Sequence, residues 1–514
     1  MNKRLLVILL ACLLMISAAA CGTASKDPTP TTEPTAPPAT ETETPDSDLL
    51  KETAKLELVY YGEKSNRMAE FEQNELKERL KQDLNVELTI TFVTWDNYGG
   101  GKTDLMLSSG EDFASYTDPA NTSNRVAKGF FADLTEAAEK YLPDLKKVVE
   151  PSAFDSFTIN GRLYAIPSGN KPNSAEGYAV MVRQDLLEEV GMTEIKTLED
   201  LEEFYRLSKE KHPDYIGTYE SMANSRKFLS YVYSDKNVEF FGNFAFTDAS
   251  SDDDTLYSFF ETEEFKRFAD INRRWVEMGI IPEYALSNPN QALAEWRAGK
   301  VLFSSGTAGK PFQSDTIDVL RKSVPDARLQ NHFLNADGRP KINLQPWCVS
   351  YFVSAEAKDV DRYVMLFNYM QKNQEIVDFL TYGVEGKDYE LVDGRVVRHT
   401  TDAFFDSWAL ENKAFVRFST SVTDQEIENY LNWDNDSINA KTLGFTFIED
   451  SVKTQKAKLD AVYHELAVPI GSGFLSYEEN YDTLLQRLKE AGIDDYMAEL
   501  QKQFTEFREA KRGS

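Results

Sequence analysis

Between Leu56 and Leu145 the hydrophobic period switches repeatedly between two values. "LELVYY" (Leu56–Tyr61) alternates like a strand. Met68, Phe71, Leu76, Leu80 and Leu84 then recur at near-helical spacing. "VELTITFV" (Val86–Val93) reads as a second strand, "KTDLMLSSGED" as a short helix with a Ser-Gly stop, "FASYTD" as a third strand and "FADLTEAAEKYLPDL" as a helix. This β-α-β-α-β order predicts an α/β fold with a mainly parallel sheet and crossover helices. Ligands of such sheets gather in the crevice beyond the strands' carboxyl ends.

One loop on that edge tempts a nucleotide reading. "WDNYGGGKT" (Trp95–Thr103) ends like a phosphate-binding loop. The motif needs a glycine five residues before Gly101, so that backbone N–H groups can wrap phosphates. That position holds Asp96, whose carboxylate repels phosphate. A loop or helix boundary is the better reading.

Further on, "FTINGRLYAIPSG" (Phe157–Gly169) carries the Asn-Gly signal of a tight hairpin. "GYAVMVRQDLLEEVGM" reads as strand then helix, with Gly191 as the stop. Helices are expected to dominate from Leu198 to Gly299. "GKVLFSSGTAG" (Gly299–Gly309) and "LQPWCVSYFVS" (Leu344–Ser354) return as strands. The tail is an amphipathic helix through Ile493, Tyr496, Leu500, Phe504 and Phe507.

The amino terminus has a basic Met1–Arg4, an apolar run from Leu5 to Ile16, and small residues before Cys21. That is the pattern of a signal peptide, too short to span a bilayer well. A cysteine directly after the small residues resembles the lipobox of bacterial lipoproteins. The resemblance implies that Cys21 becomes the first mature residue and carries lipid on its sulfur. From Gly22 to Asp48 the chain is almost all Thr, Pro, Glu, Asp, Ala and Ser, a composition that cannot offset the entropy of ordering. Extended, such a tether reaches roughly 80 Å. The folded part is therefore expected outside the cell, where ATP is scarce.

The formal net charge is −29, and removing residues 1–20 with Lys3 and Arg4 makes it −31. Such acidity disfavours nucleic acid and anionic membrane surfaces. Of the 3 cysteines, Cys12 leaves with the signal segment and Cys21 is lipidated, so Cys348 has no internal disulfide partner. In the apolar "PWCVSYFVS" it reads as a small core residue. No G-x-S-x-G occurs to suggest a nucleophile elbow. The 4 histidines (His212, His332, His399, His464) lie far apart, without metal-site spacing. A secreted glycoside hydrolase remains the strongest competing enzyme class, but with 85 acidic residues some carboxylate pair is always present. "WDNDSINAKTLG" breaks the calcium-loop pattern at Ile438 and Leu443. "DASSDDDT" (Asp248–Thr255) reads as a solvated loop. No metal, cofactor or catalytic residue is expected.

Seven landmarks share one order: "SGED" (Ser109–Asp112), "FADLTEAAEKYLPDL" (Phe131–Leu145), "NGRLYAIP" (Asn160–Pro167), "VRQDLLEEVGM" (Val182–Met192), "GKVLF" (Gly299–Phe303), "YGVEGKDYEL" (Tyr382–Leu391) and the tail from Ala491. In that order they resemble extracellular solute-binding lipoproteins of ABC importers, closest to the LplA/LipO-like subgroup of Gram-positive bacteria. The resemblance implies the two-lobe periplasmic-binding-protein type II fold, with a hinge and a ligand cleft between the lobes. It implies a monomer that takes a carbohydrate, hands it to permease subunits in the membrane and is anchored there by lipid on Cys21. On this reading residues 1–20 are a signal peptide and 21–54 the lipidated tether. Residues 55–168 plus 302–350 form the first lobe, and 169–301 plus 351–514 the second. The chain is expected to cross near Ile166–Asn170, Val301–Ser305 and Trp347–Phe352.

A sugar is held by aromatic faces under its C–H patches and by polar groups on its hydroxyls. Trp275 and Trp296 sit in helical repeats and read as core. Trp347 lies beside a predicted crossing, and Trp408 and Trp433 lie in polar, loop-like contexts; each is a ligand candidate or a packing residue. Trp95 contacts ligand or packs before a helix. Glu63 and Lys64 follow the first strand at the edge where ligands gather, while Tyr61 beside them can point into the core. Asp118 either faces ligand or caps a helix. Arg183 binds hydroxyls or pairs with an acid. Glu385 serves its local turn.

Overall fold

The computed structural model describes residues 49–513 apart from Glu63, 95–100, 170–178, 221–236, 307–315, 335–340, 344–349, 401–403, Asp406, Glu411, Ser421 and Asp436. The residues up to 48, with Cys21, lie outside it.

Following the chain, strands β1 (Ala54–Tyr61), β2 (Val86–Val93), β3 (Ala114–Thr117) and β4 (Ile166–Pro167) come first, then β5 (Ala179–Arg183). A hairpin follows, β6 (Val238–Phe241) and β7 (Ala245–Asp248). After it come β8 (Phe303–Ser305), β9 (Leu329–Phe333), β10 (Lys341–Asn343), β11 (Ser350–Val353) and β12 (Ser437–Asn439). Of the helices, α1 (Lys102–Ser109) and α2 (Pro119–Ala127) flank the first strands. Helix α3 (Glu263–Met278) lies mid-chain, and α4 (Val360–Met370), α5 (Asp424–Leu431) and α6 (Ile493–Gly513) follow.

Five strands form the first sheet in the order β2-β1-β3-β11-β4. β1 pairs parallel with β2 and with β3, as the alternation predicts. β11 enters antiparallel between β3 and β4, so the sheet is mixed at that side. A second, smaller sheet has the order β8-β5-β9, with both neighbours antiparallel to β5.

Each sheet carries its own apolar core. The first takes its buried residues from 54–166 and 351–410, with Phe131 stacked on Phe352 at 4.0 Å between ring centroids and Tyr351 on Phe367 at 5.2 Å. Such ring pairs add about 0.5–1.5 kcal/mol each beyond area burial. The second takes its buried residues from 180–303, Leu334 and 452–504. Helix α6 inserts Tyr496, Leu500 and Phe504 there, and Trp275 of α3 meets Phe303 edge-on at 5.8 Å.

This partition corrects the expected one. Residues 351–410 belong with the first core, because β11 is hydrogen-bonded into its sheet and α4 packs on it. Residues 302–334 belong with the second, because β8 and β9 pair with β5. No crossing therefore occurs at Val301–Ser305; β8 within that stretch and β9 after it both pair with β5. The folded body also begins earlier than residue 55: Leu49 and Leu50 pack against the first core, and Arg362 donates to the Leu49 carbonyl at 2.5 Å.

Local signals account for most boundaries. Asn160 and Gly161 take φ of 53° and 75°, the left-handed turn that joins Thr158–Ile159 to Arg162–Leu163. Asp118 caps α2 through the Asn121 amide at 2.9 Å, with Pro119 as the first helical residue. The β6–β7 hairpin interrupts the stretch 198–299 in which helices were expected to dominate. Its apolar strands flank Gly242-Asn243, a turn signal hidden in an aromatic run.

Candidate ligand site

Two sheet edges are connected by short stretches of chain. On the first sheet, β1, β2 and β3 end at Tyr61, Val93 and Thr117, and β4 ends beside them at Pro167. β11 starts at the same edge, where Ser350 faces both Thr117 and Pro167. On the second sheet, β5 starts at Ala179, level with the end of β8 at Ser305, with Gly306 just after it, and with Phe333 of β9. Nine residues, 170–178, separate Gly169 from Ala179, at most about 35 Å of extended chain. The second link runs from Asn343 to Ser350. The first link leaves the carboxyl edge of the first sheet and reaches the amino end of β5; the second leaves β10 and reaches that same edge of the first sheet at Ser350.

Side chains at the first edge are fixed from below. Tyr61 is fully buried, and its hydroxyl lies 2.5 Å from Thr103 Oγ1 at the start of α1. Burial pushes the Tyr61 phenol up, against the pull of Thr103 and Arg125. Arg125 of α2, also buried, places Nη2 2.7 Å from Asp104 Oδ1 and so ties α2 to α1. Thr117 and Thr122 hydroxyls lie 3.0 Å apart, and Thr122 donates to the Asp118 carbonyl at 2.7 Å. Helices α1 and α2 thus present their amino ends at the crevice on a rigid base.

At the second edge the buried Glu220 carboxylate accepts from the Ser305 amide and from Ser305 Oγ, the latter at 2.6 Å. Gly306 next to it has no room for a side chain: a Cβ would sit 2.4 Å from Asn331 Oδ1 and 3.0 Å from the Met181 nitrogen.

A third surface borders the second link. β10 and β12 pair in parallel, with Asn343 Nδ2 donating to Asn439 Oδ1 at 3.2 Å. Lys341 donates to the Trp433 carbonyl at 2.5 Å, and its ammonium stands 4.8 Å from the Trp433 ring centroid. Trp433 is half-buried, with Leu431 and Ile438 exposed near it in sequence.

The sequence candidates distribute unevenly over these surfaces. Glu63, Trp95, Trp347 and Cys348 lie outside the described residues. Trp408 falls in the short helix Ser407–Leu410 of the first core. Lys64 sits at the first edge but is ion-paired with Glu72 and stands 5.5 Å over the Phe92 ring. Asp118 is the cap of α2. Arg183 is 1% exposed, with Nε and Nη2 on Asp185 at 3.0 and 2.6 Å and Nη1 on the Gly299 carbonyl at 2.7 Å, which is the acid-pairing arrangement. Glu385 belongs to the turn before Tyr389, as its local context suggested. Glu220 and Lys341 were not singled out by sequence reasoning. Glu220 follows no motif, and Lys341 gains significance only from a ring 92 residues away.

Among the described residues no group of three or more His, Cys, Asp or Glu side chains could hold a metal ion. In the acidic 248–255 loop, Asp248 and Asp253 bind their own turns, and Asp254 pairs with Arg508 at 2.9 Å. No described helix is long and apolar enough to cross a membrane.

Two α/β cores joined by short chain links are the architecture of type II periplasmic-binding-protein-like solute-binding proteins. The N-glycan transport solute-binding protein of Streptococcus pneumoniae shares it with a TM-score of 0.72 at 22% identity, over 89% of this chain and 100% of that one. An alginate-binding protein shares it with a TM-score of 0.62 at 14% identity, over 89% and 99%. Residues 65–318 match the model of the bacterial extracellular solute-binding protein family. Residues 441–509 match a domain of unknown function. A carbohydrate ABC transporter substrate-binding protein of Streptococcus pneumoniae is 25% identical over 480 residues, 89% of this chain and 91% of its own length.

Proposed function

We propose that this protein is an extracellular receptor that captures an oligosaccharide between its two cores and delivers it to an ABC importer. The observation that carries the reading is likeness along nearly the whole chain to a carbohydrate-importer protein, joined to a shared fold with an N-glycan-binding one. That second protein has also been solved in complex with Man5GlcNAc. The first edge supplies the amino ends of α1 and α2, the second supplies Ser305 and Gly306, and Trp433 supplies an aromatic face at the border. Such a set suits hydroxyls and C–H patches of a sugar better than a single charged group. The two links act as the hinge, and closure around ligand excludes water. Lipidation of Cys21 would hold the receptor on the outer face of the cytoplasmic membrane, on the tether of 22–48, as a Gram-positive lipoprotein of the LplA/LipO-like type. Trp347, Trp408, Trp95, Glu63, Lys64 and Asp118 complete the set of ligand candidates, with Trp433 first among residues whose surroundings are described, while Arg183 is taken as support because Asp185 and the Gly299 carbonyl occupy it.

The test is thermal unfolding of the body from residue 49 against N-glycan fragments, uronic-acid oligosaccharides and maltose-type sugars, with each sugar recovered by chromatography. Ligand at 100 times its Kd stabilises by about 2.7 kcal/mol. A shift with sugar recovered intact supports the receptor. Sugar consumed supports a glycoside hydrolase instead, and no shift with any sugar moves the search to peptides and other solutes.

A further inference from the structure

The Glu239 side chain is buried on β6, and its Oε2 has no hydrogen-bond partner. The buried Thr442 hydroxyl beside it has none either. Two orphaned polar atoms, one from each of two packed segments, are costly in a dry interior. They lie where residues 440–443 cross the β6–β7 hairpin. This short strap is fastened on all sides. The Lys441 amide donates to the Ala249 carbonyl at 3.0 Å and the Ala440 amide to the Asn343 carbonyl at 2.9 Å. Ala249, Ile342 and Ala440 form a small apolar cluster beneath it. Arg508 of α6 donates to the Lys441 carbonyl at 3.0 Å.

The strap is also where the chain enters the second core. Upstream of it β12 pairs with β10, which precedes the link into the first sheet. Downstream, Phe445 and Phe447 pack against the second core. Lifting the strap would free both β12 and β10, and with them a chain link between the cores.

We propose that residues 440–443 form an acid-fastened latch, in which protonated Glu239 joins Thr442 in a hydrogen bond and ionised Glu239 releases the strap. The direction follows from the surroundings. Burial raises the Glu239 carboxyl from 4.5 to about 7, against the opposing pull of Thr442 and of the Lys441 ammonium. Lys441 compensates poorly because it is engaged elsewhere. Its Nζ donates to Ser251 Oγ at 3.3 Å and to the Asp253 carbonyl. Asp248, Asp253, Asp254 and Arg508 set the rest of its field. When the carboxyl loses its proton to solvent, a buried anion remains whose desolvation Thr442 and Lys441 do not offset, and opening rehydrates it. The closed strap has the raised pKa and the open strap an ordinary one. Opening therefore grows with pH between about 4.5 and 7, by up to tenfold per unit, and levels off above.

The experiment is hydrogen exchange by mass spectrometry on the full chain from pH 4.5 to 8.5, followed on peptides spanning 437–445 and corrected for intrinsic exchange rate. The wild type is expected to lose protection there by tenfold or more as pH rises to 7, with peptides from β1–β3 unaffected. In Glu239→Gln the loss should vanish. In Thr442→Val protection at acid pH should fall toward the wild-type alkaline level, which also serves if the first variant folds poorly. A wild type without pH dependence in this segment overturns the latch. So does Glu239→Gln with the wild-type profile, or Thr442→Val with undiminished acid protection.

Discussion

Arg67 and Asp388 grip each other across 321 residues of sequence: Nε lies 2.8 Å from Oδ1 and Nη2 2.9 Å from Oδ2. Asp388 is 3% exposed and also accepts from the Val384 amide at 2.8 Å. Burial lifts this carboxyl, but the bonds from Arg67 and Val384 outweigh it and hold it below the usual range. Asp388→Asn leaves a largely buried guanidinium without its main counter-charge. The expected loss is about 3 kcal/mol, read as a lower midpoint in urea, with ligand affinity of the folded fraction unchanged. A variant as stable as the wild type would show that Glu75, 2.9 Å from Nη2, suffices alone.

His332 gives a pH dependence of opposite sign to that of Glu239. Its Nδ1 accepts from the Ile195 amide at 3.0 Å, so Nε2 carries the proton toward Gln184 Oε1 at 2.9 Å. Burial lowers its pKa from 6.5 to about 4, with Glu194 pulling weakly upward. The neutral ring is the folded form. Its contribution is complete above 6.5 and lost as pH falls toward 4, for a total of about 3 kcal/mol. Comparing wild type with His332→Asn in urea at pH 4.5 and 7.5 isolates it. Equal pH slopes for the two would refute this assignment.

Gly306→Ala tests the second edge. The new methyl would meet Asn331 Oδ1 and the β5 backbone, neither able to withdraw cheaply. A destabilisation of about 1–3 kcal/mol is expected, with weaker ligand binding because the edge is pushed apart. Unchanged stability and affinity would mean that the edge yields freely.

Trp433→Ala and Arg183→Lys separate contact from support. Trp433→Ala should weaken sugar binding about tenfold or more in calorimetry while moving the unfolding midpoint little. Arg183→Lys loses the bidentate fork on Asp185. It should lower stability by about 1–2 kcal/mol with affinity retained. The reverse pattern would exchange the two roles.

The first sheet was legible because each element carried its own period, and β1, β2, β3 and the hairpin at Asn160 fall where sequence puts them. Helix caps were legible for the same local reason, Asp118 among them. The β6–β7 hairpin was not, since its aromatic strands read equally well as buried helix. The lobe boundaries were misplaced because β11 joins the first sheet only by pairing with Thr117, a contact from 233 residues away.

Sequence alone determined the α/β class and the order of the first sheet's early strands and helices, because period, capping and turn chemistry act over a few residues. Which segments share a core, that Arg183 is spent on Asp185, and that Glu239 lies unpaired beneath 440–443 were decided by tertiary structure. Those depend on what burial and long-range pairing bring beside each group, and no local pattern encodes that neighbour.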